Sequence, residues 1–415
     1  MRNLTRKLGP GLITGAADDD PSGIATYSQA GAQYGFGVLW TMLFTYPLMV
    51  GIQLVSARIG YVTGRGLAAN MLKVYPRILT YPLVLLLLVA NTINISADLA
   101  AMADALKLVA GGPRHLYAVA FGMGCLLLQI FIAYERYVRV LKWLTLSLFA
   151  YVGTVFASNV HWNTVIVDTL LPNITFHSGY IVLIVGIFGT TISPYLFFWQ
   201  AGQEVEDKRA DEAKSKKNET HAYAIKHLNR IKWDTIIGMG FSNLIAFFII
   251  LTTAATLYTH GLHDIQTSAQ AAEALRPIAG DFAFLLFAAG IIGTGLLAVP
   301  VLAGSAAYAV AELLHKPASL NLKLNAAKDF YAIIAISTLL GVILDFSGVD
   351  PIKALLWSAV TNGIVAVPLM AALMHMATKK ELMGKFVISR KMKLLGWIAT
   401  TVMMLSVLIL AISIL

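Results

Sequence analysis

Three consecutive aspartates, Asp18-Asp19-Asp20, followed by Pro21-Ser22-Gly23, interrupt the first apolar stretch of this chain. Charge at membrane depth is costly and persists mainly where it faces a water-filled cavity or an ion pathway. Pro21 lacks an N–H and clashes with the preceding turn, and Gly23 weakens a helix further. The pattern predicts a helix that breaks at the acids and frees backbone carbonyls beside carboxylates. That combination forms cation sites in membrane carriers.

The rest of the chain agrees with a membrane setting. Of 415 residues, 58% are hydrophobic and 13% are charged, and the mean hydropathy is +0.72, which excludes an ordinary soluble domain. A window of about 19 residues finds spans at 9–31, 36–57, 78–106, 116–134, 143–159, 180–201, 235–258, 281–313, 329–346, 352–376 and 394–414. The expectation is one all-α polytopic membrane domain covering 1–415. The basic N-terminus, Met1 to Lys7, is not followed by a cleavable signal peptide, so the first helix is expected to stay.

Basic residues test the topology. With the N-terminus placed in the cytoplasm, all but four of the 31 Lys and Arg fall in inside segments. The exceptions are Lys107, Arg114, Arg276 and Lys353. This bias orients the chain in the cell membrane with the N-terminus inside and the C-terminus outside. It also accounts for the net charge of +9 without a nucleic-acid partner. The charged stretch Gly202 to Trp233 reads as a solvated inside loop. Cys125 stands alone in an apolar run, which excludes a disulfide within the chain or a thiolate metal cluster and points to packing.

A second interruption lies in the sixth span, Gly189-Thr190-Thr191-Ile192-Ser193-Pro194-Tyr195. Helices one and six would each open a set of five, and paired interruptions at corresponding places of two halves point to a transport site between inverted repeats. Repeat one is expected at about 9–159, repeat two at about 180–376, and an extra helix at about 394–414.

The proposed site is built of oxygen. Asp20 supplies a carboxylate, Thr190 and Ser193 supply hydroxyls, and the broken helices supply carbonyls, Gly23 included. These are hard donors suited to Mg²⁺, Ca²⁺ or Mn²⁺. Small residues here (Ser22, Gly23, Ser193) would leave room for a partly hydrated ion, which favours Mg²⁺. Successive helical residues point about 100° apart, so the three acids cannot all face one site while helical. Asp20, nearest the break, is the expected ligand; Asp19 lines a vestibule; Asp18 caps a helix or meets a distant partner. Ser22, Thr191, Tyr195, Asp98 and Asn362 are placed around the site, Asp98 as a proton carrier or as part of a polar network. The metal is cargo, and no cofactor is expected. No histidine falls in either break.

These residues carry a family resemblance. Gly9-Pro10-Gly11, Asp20-Pro21, Ala25-Thr26, Gln29-Ala30-Gly31-Ala32-Gln33-Tyr34-Gly35, Asp98-Leu99-Ala100 and the Pro194 break resemble the NRAMP family of divalent-metal transporters along essentially the whole chain. The resemblance implies a LeuT-like fold, two inverted five-helix repeats plus an eleventh helix, and alternating access. The chain departs from the family at the site. The family's Asp-Pro-Gly-Asn reads Asp20-Pro21-Ser22-Gly23, and its Met-Pro-His reads Ser193-Pro194-Tyr195. A second family histidine aligns with Gln200, and the acid three residues after Asp98 aligns with Ala101. These changes resemble the NRAMP-related magnesium transporters and imply uptake of Mg²⁺, or Mn²⁺, without proton coupling; a monomer is expected. The alternative is a proton-coupled Mn²⁺/Fe²⁺ importer of the ordinary type. An intramembrane aspartyl enzyme is disfavoured, because its Gly-x-Gly-Asp signature is absent and Ala279-Gly280-Asp281 is the nearest string. An organic-solute symporter of the same fold is disfavoured, since three acids at the site argue against an anionic substrate.

Overall fold

The computed structural model describes residues 9–132, 145–214 and 221–414. Met1 to Lys7, Arg136, Arg139, Lys142, Lys216, Lys217 and the start of the fifth span lie outside the described residues. Each expected span meets a helix. The first is split into α1 (Pro10–Asp18) and α2 (Pro21–Tyr34). Then come α3 (Trp40–Thr63), the short α4 (Leu67–Val74), α5 (Arg77–Ala110), α6 (Arg114–Phe131), α7 (Phe149–Ala157) and α8 (Trp162–Leu170). The sixth span is split into α9 (Ser178–Thr191) and α10 (Pro194–Lys214). It is followed by α11 (His221–Thr256), the short α12 (Ser268–Glu273), α13 (Ala283–Leu313), α14 (Lys328–Asp345), α15 (Pro351–Thr378) and α16 (Arg390–Ile414). Among the described residues, eight helices are long and apolar enough to cross a membrane.

The split helices sit at the centre because their neighbours are small where they cross. A Cβ on Gly15 would lie 2.2 Å from the Gly238 carbonyl oxygen, and one on Gly11 would lie 2.7 Å from the Thr235 nitrogen. Only glycine lets α1 lie this close on α11. The seam has polar ends. Asp234 accepts from the Gly11 N–H at 2.8 Å, which satisfies a first-turn donor of α1. At the other end Ser242 meets Asp18 and Asp19. The second split helix uses the same device: a Cβ on Gly189 would lie 2.0 Å from the Ala359 carbonyl oxygen of α15.

The stretch Gly202 to Trp233 is not the loop its charge implied. α10 and α11 run on as helices to Lys214 and from His221. Their charges face each other: Arg230 reaches Glu204 at 2.7 Å and Asp207 at 3.3 Å. Glu206 is buried and accepts from the Leu320 N–H at 2.8 Å and from the Tyr308 hydroxyl. Paired and bonded charge holds helices together here, where sequence composition alone reads as solvation.

Candidate metal site between the two helix breaks

Both breaks are made in the same way. α1 ends at Asp18, Asp19 turns the chain at φ −82°, ψ 52°, and Asp20 is extended at φ −70°, ψ 168°. Pro21 follows, disfavours the helical conformation in the residue before it and opens α2 at its first position. In the second break Ile192 turns at φ −118°, ψ 57°, and Pro194 opens α10.

Asp20 is the N-cap of α2. Its Oδ1 accepts from the Gly23 N–H at 2.7 Å and from the Ser22 hydroxyl at 2.9 Å. Its Oδ2 accepts from Asn94 Nδ2 at 3.0 Å. The positive end of α2 favours a carboxylate at this spot. Thr190 sits directly across, since a Cβ on Gly23 would lie 3.0 Å from Thr190 Oγ1 and 3.2 Å from Asp20 Oδ1. Asp20, Gly23 and Thr190 therefore converge. In this conformation the space beside Gly23 is filled by Thr190, Asp20 and Tyr27, not open as the small residues implied. Asp20, Thr190, Ser193, Asp98 and Asn362 are all buried.

The carbonyls freed by the breaks are bonded by side chains. The Ser193 hydroxyl donates to the carbonyls of Gly189 at 2.8 Å and Thr190 at 2.7 Å. The Tyr195 hydroxyl donates to the Ala17 carbonyl at 2.9 Å and so ties the second break to the first. Buried carbonyls need a partner, and each oxygen keeps a second lone pair.

The other expected residues divide. Asp98 and Asn362 come to the site through Asn94, whose Nδ2 also donates to Asp98 Oδ2 at 3.1 Å and whose Oδ1 accepts from Asn362 Nδ2 at 2.8 Å. Asp19 turns away: with Asp18 it shares the Ser242 hydroxyl, at 3.0 and 2.6 Å. Thr191 donates to the Ile187 carbonyl at 2.6 Å, and Tyr27 donates to Thr191 at 3.0 Å. Gln200 lies deeper, between Gln53 at 2.7 Å and Thr235 at 2.8 Å. Sequence reasoning missed Asn94 and Ser242. Asn94 stands one helical turn before Asp98, a spacing that puts both on one face of α5. Nothing in the sequence links Ser242 to Asp18.

Beyond the site, the segment before α12 is hydrogen-bonded to α2, and the start of α12 to α5. Gln29 donates to Asp264 at 3.0 Å and accepts from the Ile265 N–H at 3.0 Å. Ser268, at the start of α12, donates to Asp104 at 2.5 Å.

An apolar helical bundle with two broken helices meeting around a carboxylate and backbone carbonyls is the architecture of a secondary transporter. Solved structures share the fold. A manganese transporter of Eremococcus coleocola superposes with a TM-score of 0.76 at 17% identity, covering 98% of this chain and 87% of that one. MhsT bound to L-phenylalanine superposes with a TM-score of 0.61 at 12% identity, covering 97% and 98%. The chain thus has the LeuT-like fold expected from its sequence. Among sequence relatives, the divalent metal cation transporter MntH of Caldanaerobacter subterraneus subsp. tengcongensis is 25% identical over 99% of this chain and 94% of its own length. MntH of Deinococcus radiodurans is 25% identical over 97% and 88%. The Nramp family (natural resistance-associated macrophage protein-like) matches residues 11–413, and the chain belongs to it.

Proposed function

We propose that this protein carries a divalent metal cation across the cell membrane by alternating access, that the ion is Mg²⁺ with part of its water retained, and that protons are not coupled to its movement. The observation that carries the reading is the donor set at the double break. Asp20 faces Thr190, with Ser193 in the second break, and all are hard oxygen donors. One carboxylate with neutral oxygens suits an ion that sheds water reluctantly and is held by few direct ligands. Ser193 stands where the family places a methionine, so the soft donor that favours transition metals is gone. Tyr195 and Gln200 stand where the family places histidines, and neither side-chain type exchanges a proton readily near neutral pH. Uptake would then be driven by the inside-negative potential, which gives two charges about 4.6 kcal/mol per 100 mV.

The basic-residue bias supports an inside N-terminus and an outside C-terminus. The paired breaks support repeats at about 9–159 and 180–376 with an extra helix at about 394–414. We read the working unit as a monomer. A second reading is a proton-coupled Mn²⁺/Fe²⁺ importer of the ordinary family type; its metal, though not its coupling, draws support from the Eremococcus coleocola protein being a manganese transporter.

Ion flux in proteoliposomes tests both. Mg²⁺ entry that requires Asp20 and leaves luminal pH unchanged is the expected result. Mn²⁺ entry with acidification and no Mg²⁺ flux would establish the second reading instead.

A further inference from the structure

We infer that Asn94 takes the place of the ion in the empty carrier, holding Asp20 and Asp98 so that the site can close and return without cargo. This rests on the reading of the protein as an uncoupled divalent-cation carrier.

A carrier without a coupled ion must complete half of its cycle empty. In that half its ligand carboxylate passes through a closed state with no metal beside it. A buried carboxylate without a partner is costly, and more so inside a membrane. The conformation described here shows how the chain meets that need. Among the described residues, the donors that reach Asp20 are neutral: the Ser22 hydroxyl, the Gly23 N–H and the Asn94 amide. The first two belong to the turn that Asp20 itself caps. Asn94 comes from another helix, and its one amide nitrogen bridges the two carboxylates, with Nδ2 at 3.0 Å from Asp20 and 3.1 Å from Asp98.

The chemistry fixes which way the amide points. Two carboxylates need the nitrogen side, since the oxygen would repel both. Asn362 locks the orientation by donating to Asn94 Oδ1 at 2.8 Å. The cluster also has more acceptors than the chain supplies donors for: among the described residues, Asp98 Oδ1 and Asn362 Oδ1 are buried without a hydrogen-bond donor. An arriving ion brings charge for Asp20 and water protons for these oxygens. The amide is then released from Asp20 and turns away, and when the ion leaves it returns.

The role separates two kinds of flux. Net uptake into metal-free vesicles requires the empty return. Exchange of labelled for unlabelled metal across the membrane does not, because the carrier is loaded in both directions. In Asn94→Leu, whose side chain is of similar size without donors, net uptake should fall about tenfold more than exchange, the loss expected for a hydrogen bond to a charged group. Asn362→Val leaves the donor but frees its orientation, so the same split should appear at about threefold. The measurement uses the full chain in proteoliposomes with Mg²⁺ and Mn²⁺ as probes, after both variants are checked for monodispersity in detergent. If Asn94→Leu does not fold, Asn362→Val carries the test. Equal losses of net uptake and exchange in the folded variants would overturn the inference and leave Asn94 as a packing or binding residue. Wild-type protein that moves neither metal in either mode would instead remove the reading on which the inference rests.

Discussion

At the first helix break Asp19 turns the chain at φ −82°, ψ 52°, and at the second Ile192 does so at φ −118°, ψ 57°; a proline then opens the next helix in each. The backbones match, but the side chains do not. The first break presents a carboxylate that draws donors from its own turn and from Asn94. The second presents hydroxyls, and Ser193 spends its proton on the carbonyls of its own break. Two halves with one geometry can thus divide the work: one break supplies the charge that holds a cation, and the other supplies neutral oxygens that decide which cation fits. The matching backbones place the two breaks alike, and the residues at each give them different chemistry.

The division of labour can be broken most severely at Asp20. Asp20→Ala should lower metal flux by about 100-fold or more, since removing one partner of a buried charge costs about 3–5 kcal/mol. Flux measured beside the corresponding change in the neutral break, Thr190→Val, should show a much smaller loss, and equal losses would mean that the breaks do not divide the work. Next in size is the support beneath the first break. Gly15→Leu has no room against Gly238 and should lower the unfolding midpoint by an amount equivalent to about 1–3 kcal/mol. Gly37→Leu, where a Cβ meets nothing within 4 Å, is the control on the same assay. Ser193→Met sharpens the comparison: it should shift preference toward Mn²⁺ over Mg²⁺ by about tenfold in competition uptake. An unchanged ratio would show that the second break does not set selectivity. The smallest effect belongs to Tyr195→Phe, which removes the bond to the Ala17 carbonyl and should cost about 1 kcal/mol of thermal stability.

Much of this was legible from residue order because breaks are local. A proline after an acid inside an apolar run fixes its own backbone, and Pro21 and Pro194 open the second half of each broken helix as expected. What depended on a partner from elsewhere was not legible. Asn94 reads as one polar residue on a long helix until α5 crosses beside Asp20. Ser242 has no signature at all, yet its hydroxyl is shared by Asp18 and Asp19. The charged stretch from Gly202 failed for the same reason. Glu204 and Arg230 look like two solvated charges along the chain and become one ion pair once the fold brings Arg230 of α11 to Glu204 of α10.

The seam between α1 and α11 has a mechanical consequence. Its middle has glycine against backbone, and its ends are fastened at Asp234–Gly11 and at Ser242–Asp18/Asp19. Close approach of this kind is itself what holds two helices together in a bilayer, because apolar side chains gain nothing there by leaving lipid. A side chain at Gly11, Gly15 or Gly238 would therefore part α1 from α11 even with both end contacts made.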